Sequence, residues 1–355
     1  MKRIILALNI FLSFNVFVLA FEAGAYIPHY RLKSAAGASN FLGRPLYDTT
    51  AQAWDQAILA DQMLTRPPAM PSIWYESSWS LRLGWGFDSF YLHIPMNEDF
   101  LLGNVPIIRY LDYLKRIVSK SEKSIYLSLI GTSRDFLPRI SSANNLEYFT
   151  DYIGELVKSH KLHGIELNWE FSASPSMAEK REFSRLMAVL REELPSTTRL
   201  SLAVSRWRLP DPAMFAIVDE VHLMAYDNFG HHSTYQSALE DSEVMLTQFS
   251  LLPSKLLLGL PFYGRVFDAN SPDYWRGAKN YRNIRRDFQI TENFTDVAGP
   301  YHFNGPTTIT KKTQWARSRG LKGVFVWEPY YDVVGSASLI RAVRRGISDS
   351  EYQGL

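Results

Sequence analysis

With 355 residues the chain has room for one large domain or two smaller ones, and for a sizeable core. Hydrophobic residues make up 46% and charged residues 21%, which sets it apart from disordered and fibrous classes. A net charge of +2 leaves no electrostatic footprint for nucleic acid or an anionic membrane surface, and the lack of cysteine excludes a disulfide-stapled scaffold.

The N-terminus has the layout of a secretory signal peptide over residues 1–20. Lys2 and Arg3 precede a run from Ile4 to Leu19 that is apolar apart from Asn9, Ser13 and Asn15, and Val18 and Ala20 are small residues at the positions a signal peptidase reads. A membrane anchor is the other reading, although the run is short and interrupted for one. The expected mature chain begins near Phe21, is secreted, and carries no later segment able to span a bilayer. Asn293-Phe294-Thr295 is an N-glycosylation sequon, relevant only in a pathway that glycosylates.

From residue 21 onward, β-rich apolar runs alternate with amphipathic helical stretches. The strand candidates are Gly24–Pro28, Ser89–Ile94, Ser124–Leu129, Gly164–Trp169, Arg199–Val204, Glu220–Ala225, Lys255–Leu260 and Gly323–Trp327. Helical patterns fall between them at Leu146–Ser159, Met177–Glu193, Ser237–Ser250 and Thr310–Arg319. Strict alternation argues for a parallel sheet, and eight units argue for its closure. The expected fold is therefore α/β, a single (β/α)8 TIM barrel over residues 21–355. Two stretches break the rhythm. Residues 31–87 form a long first connection, with a helix pattern around Gln52–Leu64 and a Pro- and Trp-rich loop from Arg66 to Trp85. Residues 266–308 form a short insertion after strand seven that contains Tyr274, Trp275, Tyr301 and Phe303. Long loops at the carboxyl ends of barrel strands usually shape the site.

The most informative run is His163-Gly164-Ile165-Glu166-Leu167-Asn168-Trp169-Glu170. As a strand it points Ile165, Leu167 and Trp169 one way and Glu166, Asn168 and Glu170 the other. An edge strand with one wet face would read the same. As the fourth strand of eight, however, its polar side faces a barrel interior, where two carboxylates and an amide are costly unless they serve chemistry. Glu170 would then stand at the carboxyl mouth, where barrel catalytic residues lie.

This run resembles the signature of the family 18 chitinases, Asp-Gly-x-Asp-x-Asp-Trp-Glu. Other strands agree in order: Met224-Ala225-Tyr226-Asp227 is similar to the family's sixth-strand motif, Leu258 to Arg265 to its seventh strand, and Gly323 to Trp327 to its eighth. Tyr26-Ile27-Pro28 and Ser128 to Gly131 are similar to the first and third strands. The resemblance implies hydrolysis of β-1,4-N-acetylglucosamine linkages with retention, in which the substrate's own acetamido oxygen attacks the anomeric carbon. It also implies roles. Glu170 would protonate the leaving oxygen, Asn168 would hold the acetamido N–H, and Tyr226, beside Asp227, would steady the acetamido oxygen. Trp327 would stack under the sugar, with Tyr26, Glu166, Tyr263 and Arg265 as further substrate-binding residues.

Three signature aspartates are changed, to His163, Glu166 and Asn168, and Ile130 interrupts the family's third-strand glycine pair. His163 is expected at the buried start of its strand. The change to Asn168 matters most, because a neutral amide cannot raise the pKa of Glu170 by like charge, although its oxygen can still accept the acetamido N–H. An acid-shifted activity profile and reduced turnover are expected. Two alternatives stay open: a catalytically weak or inactive lectin-like protein that binds chitin or chitooligosaccharides, and an endo-N-acetylglucosaminidase, a class similar in its Asn-x-Glu. Taken alone, Tyr226, Asp227 and Trp327 read equally well as core and capping residues. His222, His231, His232 and His302 lack metal-ligand spacing, so no metal and no cofactor are expected. The expected partner is chitin or an N-acetylglucosamine oligosaccharide, bound by a monomer.

Overall fold

The computed structural model describes residues 21–28, 87–96, 107–118, 123–131, 137, 140, 143–168, 170, 175–228, 230–266 and 277–348. The signal-peptide segment, the helix pattern at Gln52–Leu64 and nearly all of the long first connection lie outside them. The barrel strands are β1 (Glu22–Pro28), β2 (Ser89–Pro95), β3 (Ser124–Ile130), β4 (Gly164–Asn168), β5 (Arg199–Val204), β6 (Glu220–Leu223), β7 (Leu256–Pro261) and, late in the chain, β12 (Gly323–Trp327). They close in the order β1-β12-β7-β6-β5-β4-β3-β2, every pair parallel. All eight expected strands are present. β6 stops earlier than its apolar run, at Leu223.

Among the described residues the helices outside the barrel are α1 (Ile107–Val118), α2 (Ala143–His160), α3 (Met177–Glu193), the single-turn α4 (Met214–Ile217), α5 (Tyr235–Thr247), α6 (Tyr281–Asp287), α7 (Pro306–Ser318) and α8 (Leu339–Ile347). Their starts follow local chemistry. Ser176 and Glu179 form a reciprocal capping box on α3, Thr234 and Ser237 do so on α5, and α7 begins with Pro306. Between β5 and β6 only α4 intervenes, so the alternation is weakest there. The insertion folds on its own small antiparallel sheet in the order β10-β11-β8-β9, with β8 (Tyr263–Val266), β9 (Lys279–Asn280), β10 (Val297–Ala298) and β11 (Tyr301–His302).

The pleat sorts side chains into two bodies. Ala25, Leu92, Leu127, Ile165, Leu167, Leu202, Val221, Leu258 and Val326 face the helices in one large apolar core. A second, smaller cluster fills the barrel: Tyr26, Tyr91, Tyr126, Met224, Tyr226, Leu257, Tyr263 and Phe325, with Trp327 against it. Gly259 makes this interior possible, because a Cβ there would meet Phe325 and Tyr226 rings at 2.7 and 2.8 Å. His163 departs from expectation. It is exposed at the amino-terminal rim, where its Nδ1 accepts the Ile125 N–H at 3.1 Å, so it satisfies a backbone donor at the barrel base and is not a core residue.

Candidate active site

β4 delivers Glu166 and Asn168 to the interior, and the next described residue, Glu170, stands above them with its backbone N–H on the Asn168 carbonyl at 3.1 Å. Glu166 is fully buried and saturated. Its Oε1 accepts from the Ser128 hydroxyl at 2.7 Å, and its Oε2 accepts from the Tyr26 hydroxyl at 2.5 Å and lies 2.5 Å from His222 Nδ1. Burial works to raise the Glu166 pKa, but His222, Tyr26 and Ser128 override it and hold the carboxyl below its usual range. Tyr26 is 2% exposed, and burial pushes its hydroxyl well up with the Glu166 charge adding to the effect. Tyr26 and Glu166 therefore sit inside the barrel with their polar atoms already paired.

Asn168 is 4% exposed. Its Nδ2 donates to the Met224 sulfur at 4.0 Å, while its Oδ1 is buried with no hydrogen-bond partner among the described residues. An orphaned buried acceptor costs roughly 1–3 kcal/mol, which a ligand N–H would recover. Glu170 is only partly exposed. Burial raises its pKa, the Asn168 hydrogen bond and the Arg208 charge pull it back, and Asp227 pushes it up again. Burial is thus the main influence that raises Glu170, with Asp227 adding to it. Arg208 arrives on the tight Ser205–Arg208 turn after β5, a contribution no motif announced.

Asp227 closes the opposite side. Its backbone is left-handed, with φ of 59°, and its carboxylate takes a two-pronged contact from Arg265, Nε to Oδ1 at 2.8 Å and Nη2 to Oδ2 at 3.0 Å. His232 Nδ1 accepts the Asp227 N–H at 3.1 Å, and its Nε2 faces the Tyr263 carbonyl at 3.3 Å. Burial would raise the Asp227 pKa, but His232 and Arg265 hold it well below the carboxylate range. Tyr226 is 8% exposed; burial pushes its hydroxyl well up, with Glu170 and Asp227 adding to it. Tyr263 lies 6.2 Å from Tyr226, ring to ring. Trp327 stands partly open at the mouth, 5.9 Å from the Tyr26 ring and 5.0 Å edge-on from His93.

Three residues of this layer escaped the sequence reading. His93 bonds Ser128 Oγ at 2.9 Å, and burial lowers its pKa to about 4. The sequence raises His222 only as a metal ligand. Its Nδ1 meets Glu166 above, and its Nε2 lies 3.6 Å from Glu220 Oε2 below without a hydrogen bond. Met224 floors Asn168. The alternation Glu220-Val221-His222-Leu223 is the same signal that exposed β4, and could have found His222. Among the described residues no cluster of His, Asp or Glu fits a metal ion, and no helix is long and apolar enough to cross a membrane.

The model for "Glycosyl hydrolases family 18" matches residues 91–332. Chitinase 1 of Aphanocladium album is 24% identical over 293 residues, which cover 67% of this chain and 69% of that protein. A crystal structure of a chitinase from Bacteroides thetaiotaomicron superposes with a TM-score of 0.71 at 16% identity, covering 94% of this chain and 99% of that one. The chitinase-like agglutinin of Robinia pseudoacacia superposes at 0.60 with 20% identity, covering 74% and 94%. At these identities the two structures speak for the fold.

Proposed function

Because the chain belongs to the Glycosyl hydrolases family 18, we propose that it is a secreted glycosidase that cleaves β-1,4-N-acetylglucosamine linkages with the help of the substrate's acetamido group. The observation that carries this reading is the pairing of Glu170, a carboxyl raised by burial, with Asn168, whose buried side-chain oxygen has no partner among the described residues. In the proposed reaction Glu170 donates its proton to the leaving glycosidic oxygen as the acetamido oxygen bonds to the anomeric carbon and the glycosidic bond breaks. Asn168 accepts the acetamido N–H and orients that group. Tyr226 donates its hydroxyl to the acetamido oxygen and so aims it. Water then opens the cyclic intermediate, and Glu170 takes a proton from that water. Asp227, held ionised by Arg265 and His232, adds to the burial that raises Glu170 and offsets developing positive charge. Trp327 supplies an apolar face for the ring.

The missing negative charge at position 168 supports a second reading, a lectin-like protein that binds the same oligosaccharides without turning them over. Incubating the purified mature chain with chitotetraose (four N-acetylglucosamine units) separates the two. Turnover by wild type that falls about 10²–10⁴-fold in Glu170→Gln supports the enzyme. Equal rates in both proteins would sink the assignment of Glu170, and tight binding without hydrolysis would select the lectin.

A further inference from the structure

Beneath the pocket the barrel axis holds a column of charge. Glu166 meets His222, His222 meets Glu220, and Glu220 meets Arg199 at 2.9 Å and Lys322 at 3.2 Å. Both of these cations also reach Glu22, at 3.5 and 3.8 Å, near the amino-terminal end. With His222 as imidazolium, three carboxylates face three cations, so the column neutralises itself without any charge from the pocket above.

We infer that His222 is a positioning residue for Asn168: by drawing the Glu166 carboxylate down the barrel axis, it keeps Glu166 off the Asn168 amide and leaves the Asn168 side-chain oxygen unpaired, to be matched by the substrate. The inference rests on the reading of Asn168 as acetamido acceptor. Glu166 and Asn168 are two residues apart on one face of β4, so their side chains are neighbours. A buried carboxylate without a cation takes whatever donors lie in reach, and the Asn168 amide is the donor directly above it. Capturing that N–H would turn the amide over and set its oxygen against Glu170. There it would either repel the ionised acid or hold its proton. In the structure neither happens. Both Glu166 oxygens are spent on Ser128, Tyr26 and His222, and the Asn168 amide donates to the Met224 sulfur at 4.0 Å.

The surroundings of His222 suit an imidazolium. Glu166 faces it from β4 and Glu220 from its own strand. Tyr26 Oη is 2.7 Å from Nδ1, Tyr91 packs edge-on at 4.8 Å, and Phe325 stacks at 5.1 Å. Its register partners Ala203 and Leu257 carry no charge. Burial alone would lower its pKa, but Glu166 and then Glu220 raise it to about 9.

Full-length mature wild type, His222→Gln and the neutral pair Glu166→Gln/His222→Gln test this with chitotetraose across pH 4–10. His222→Gln should lose at least about ten-fold in kcat/KM, and its pH profile should gain a step near neutrality as unpaired Glu166 takes up a proton. The neutral pair should recover most of that loss, because no carboxylate remains to compete for the amide. An unchanged profile in His222→Gln, or a neutral pair no better than the single variant, overturns the inference. If His222→Gln does not fold, the neutral pair is decisive alone: near-wild-type kcat/KM supports the inference and a loss beyond ten-fold overturns it. Absence of turnover in wild type would instead mark failure of the enzyme reading. The same proteins are then ranked by calorimetric affinity for chitotetraose, with the same expectations. Nitrogen-15 NMR of the imidazole needs no sugar, and a neutral His222 at pH 7 overturns the inference outright.

Discussion

His222 and Lys312 are both fully enclosed bases, and they are shifted in opposite directions. His222, inside the barrel, is raised to about 9 against the drag of burial. Lys312, on α7 behind the barrel wall, is lowered by burial to about 7, with Asp296 and Asp241 only partly opposing. The contacts explain the difference. His222 has a carboxylate on each side. Lys312 Nζ meets the Ser233 hydroxyl at 2.8 Å, the Ser233 carbonyl at 3.2 Å and Asn304 Oδ1 at 2.8 Å, which are dipoles and not charges. Dipoles satisfy a buried amine without keeping it charged, whereas contact with a full countercharge does both. Each cluster also holds a different part of the pocket. The His222 column sits under Asn168, and Ser233, gripped by Lys312, bonds the Ala225 carbonyl at 2.8 Å at the start of the turn that carries Asp227.

The largest expected effect breaks the column. Glu166→Ala leaves His222 facing a gap and should cost about 3–5 kcal/mol in denaturant unfolding, the range for breaking a buried pair. A change near 1 kcal/mol would mean that the pair is already solvated.

Next in size are the opposed pH slopes. The His222 contribution, on the order of 3 kcal/mol, is fully present below its unfolded value of 6.5 and is lost as pH rises through about 9. Lys312 works the other way. Its folded pKa lies below the unfolded 10.5, so protonating it opposes folding, and stability is regained as pH rises from about 7 towards 10.5. Melting temperatures followed between pH 6.5 and 9 should fall with pH in Lys312→Met and rise with pH in Glu166→Gln/His222→Gln. Parallel curves would erase the contrast.

A smaller effect is expected in the pocket itself. Asn168→Asp places a carboxylate beside Glu170 that Glu166, already paired, cannot share a proton with. It should move the basic limb of the kcat profile upward and raise kcat about ten-fold, since a like charge keeps the acid protonated. A downward shift would show that position 168 does not act on Glu170. The smallest effect comes from Ser233→Ala, which removes one hydroxyl between Lys312 and Ala225 and should cost roughly 1 kcal/mol in chemical unfolding, with kcat lowered more than KM is raised.

The barrel was legible because its strands announce themselves by alternation and by turn chemistry, properties a single segment carries. β4 shows this best: Ile165 and Leu167 lie in the outer core at 0% exposure, and Glu166 and Asn168 lie inside. The candidate acid was legible for the same reason. Illegible were relations between segments. Arg265 grips Asp227 from 38 residues away, and Lys312 reaches Ser233 across 79. No periodicity encodes such distances, and the exposure of His163 is set by packing that its own strand does not reveal.

The sequence by itself determined the eight-stranded closure, the order of strands, and which face of β4 bears its carboxylates, because pleat and helix period are local consequences of backbone geometry. Only the tertiary structure decided the charge states. The pKa values of Glu170 and His222 are raised and those of Glu166 and Lys312 lowered by what other strands and loops place within a few ångströms, and a proton's free energy depends on that neighbourhood more than on the residue that carries it.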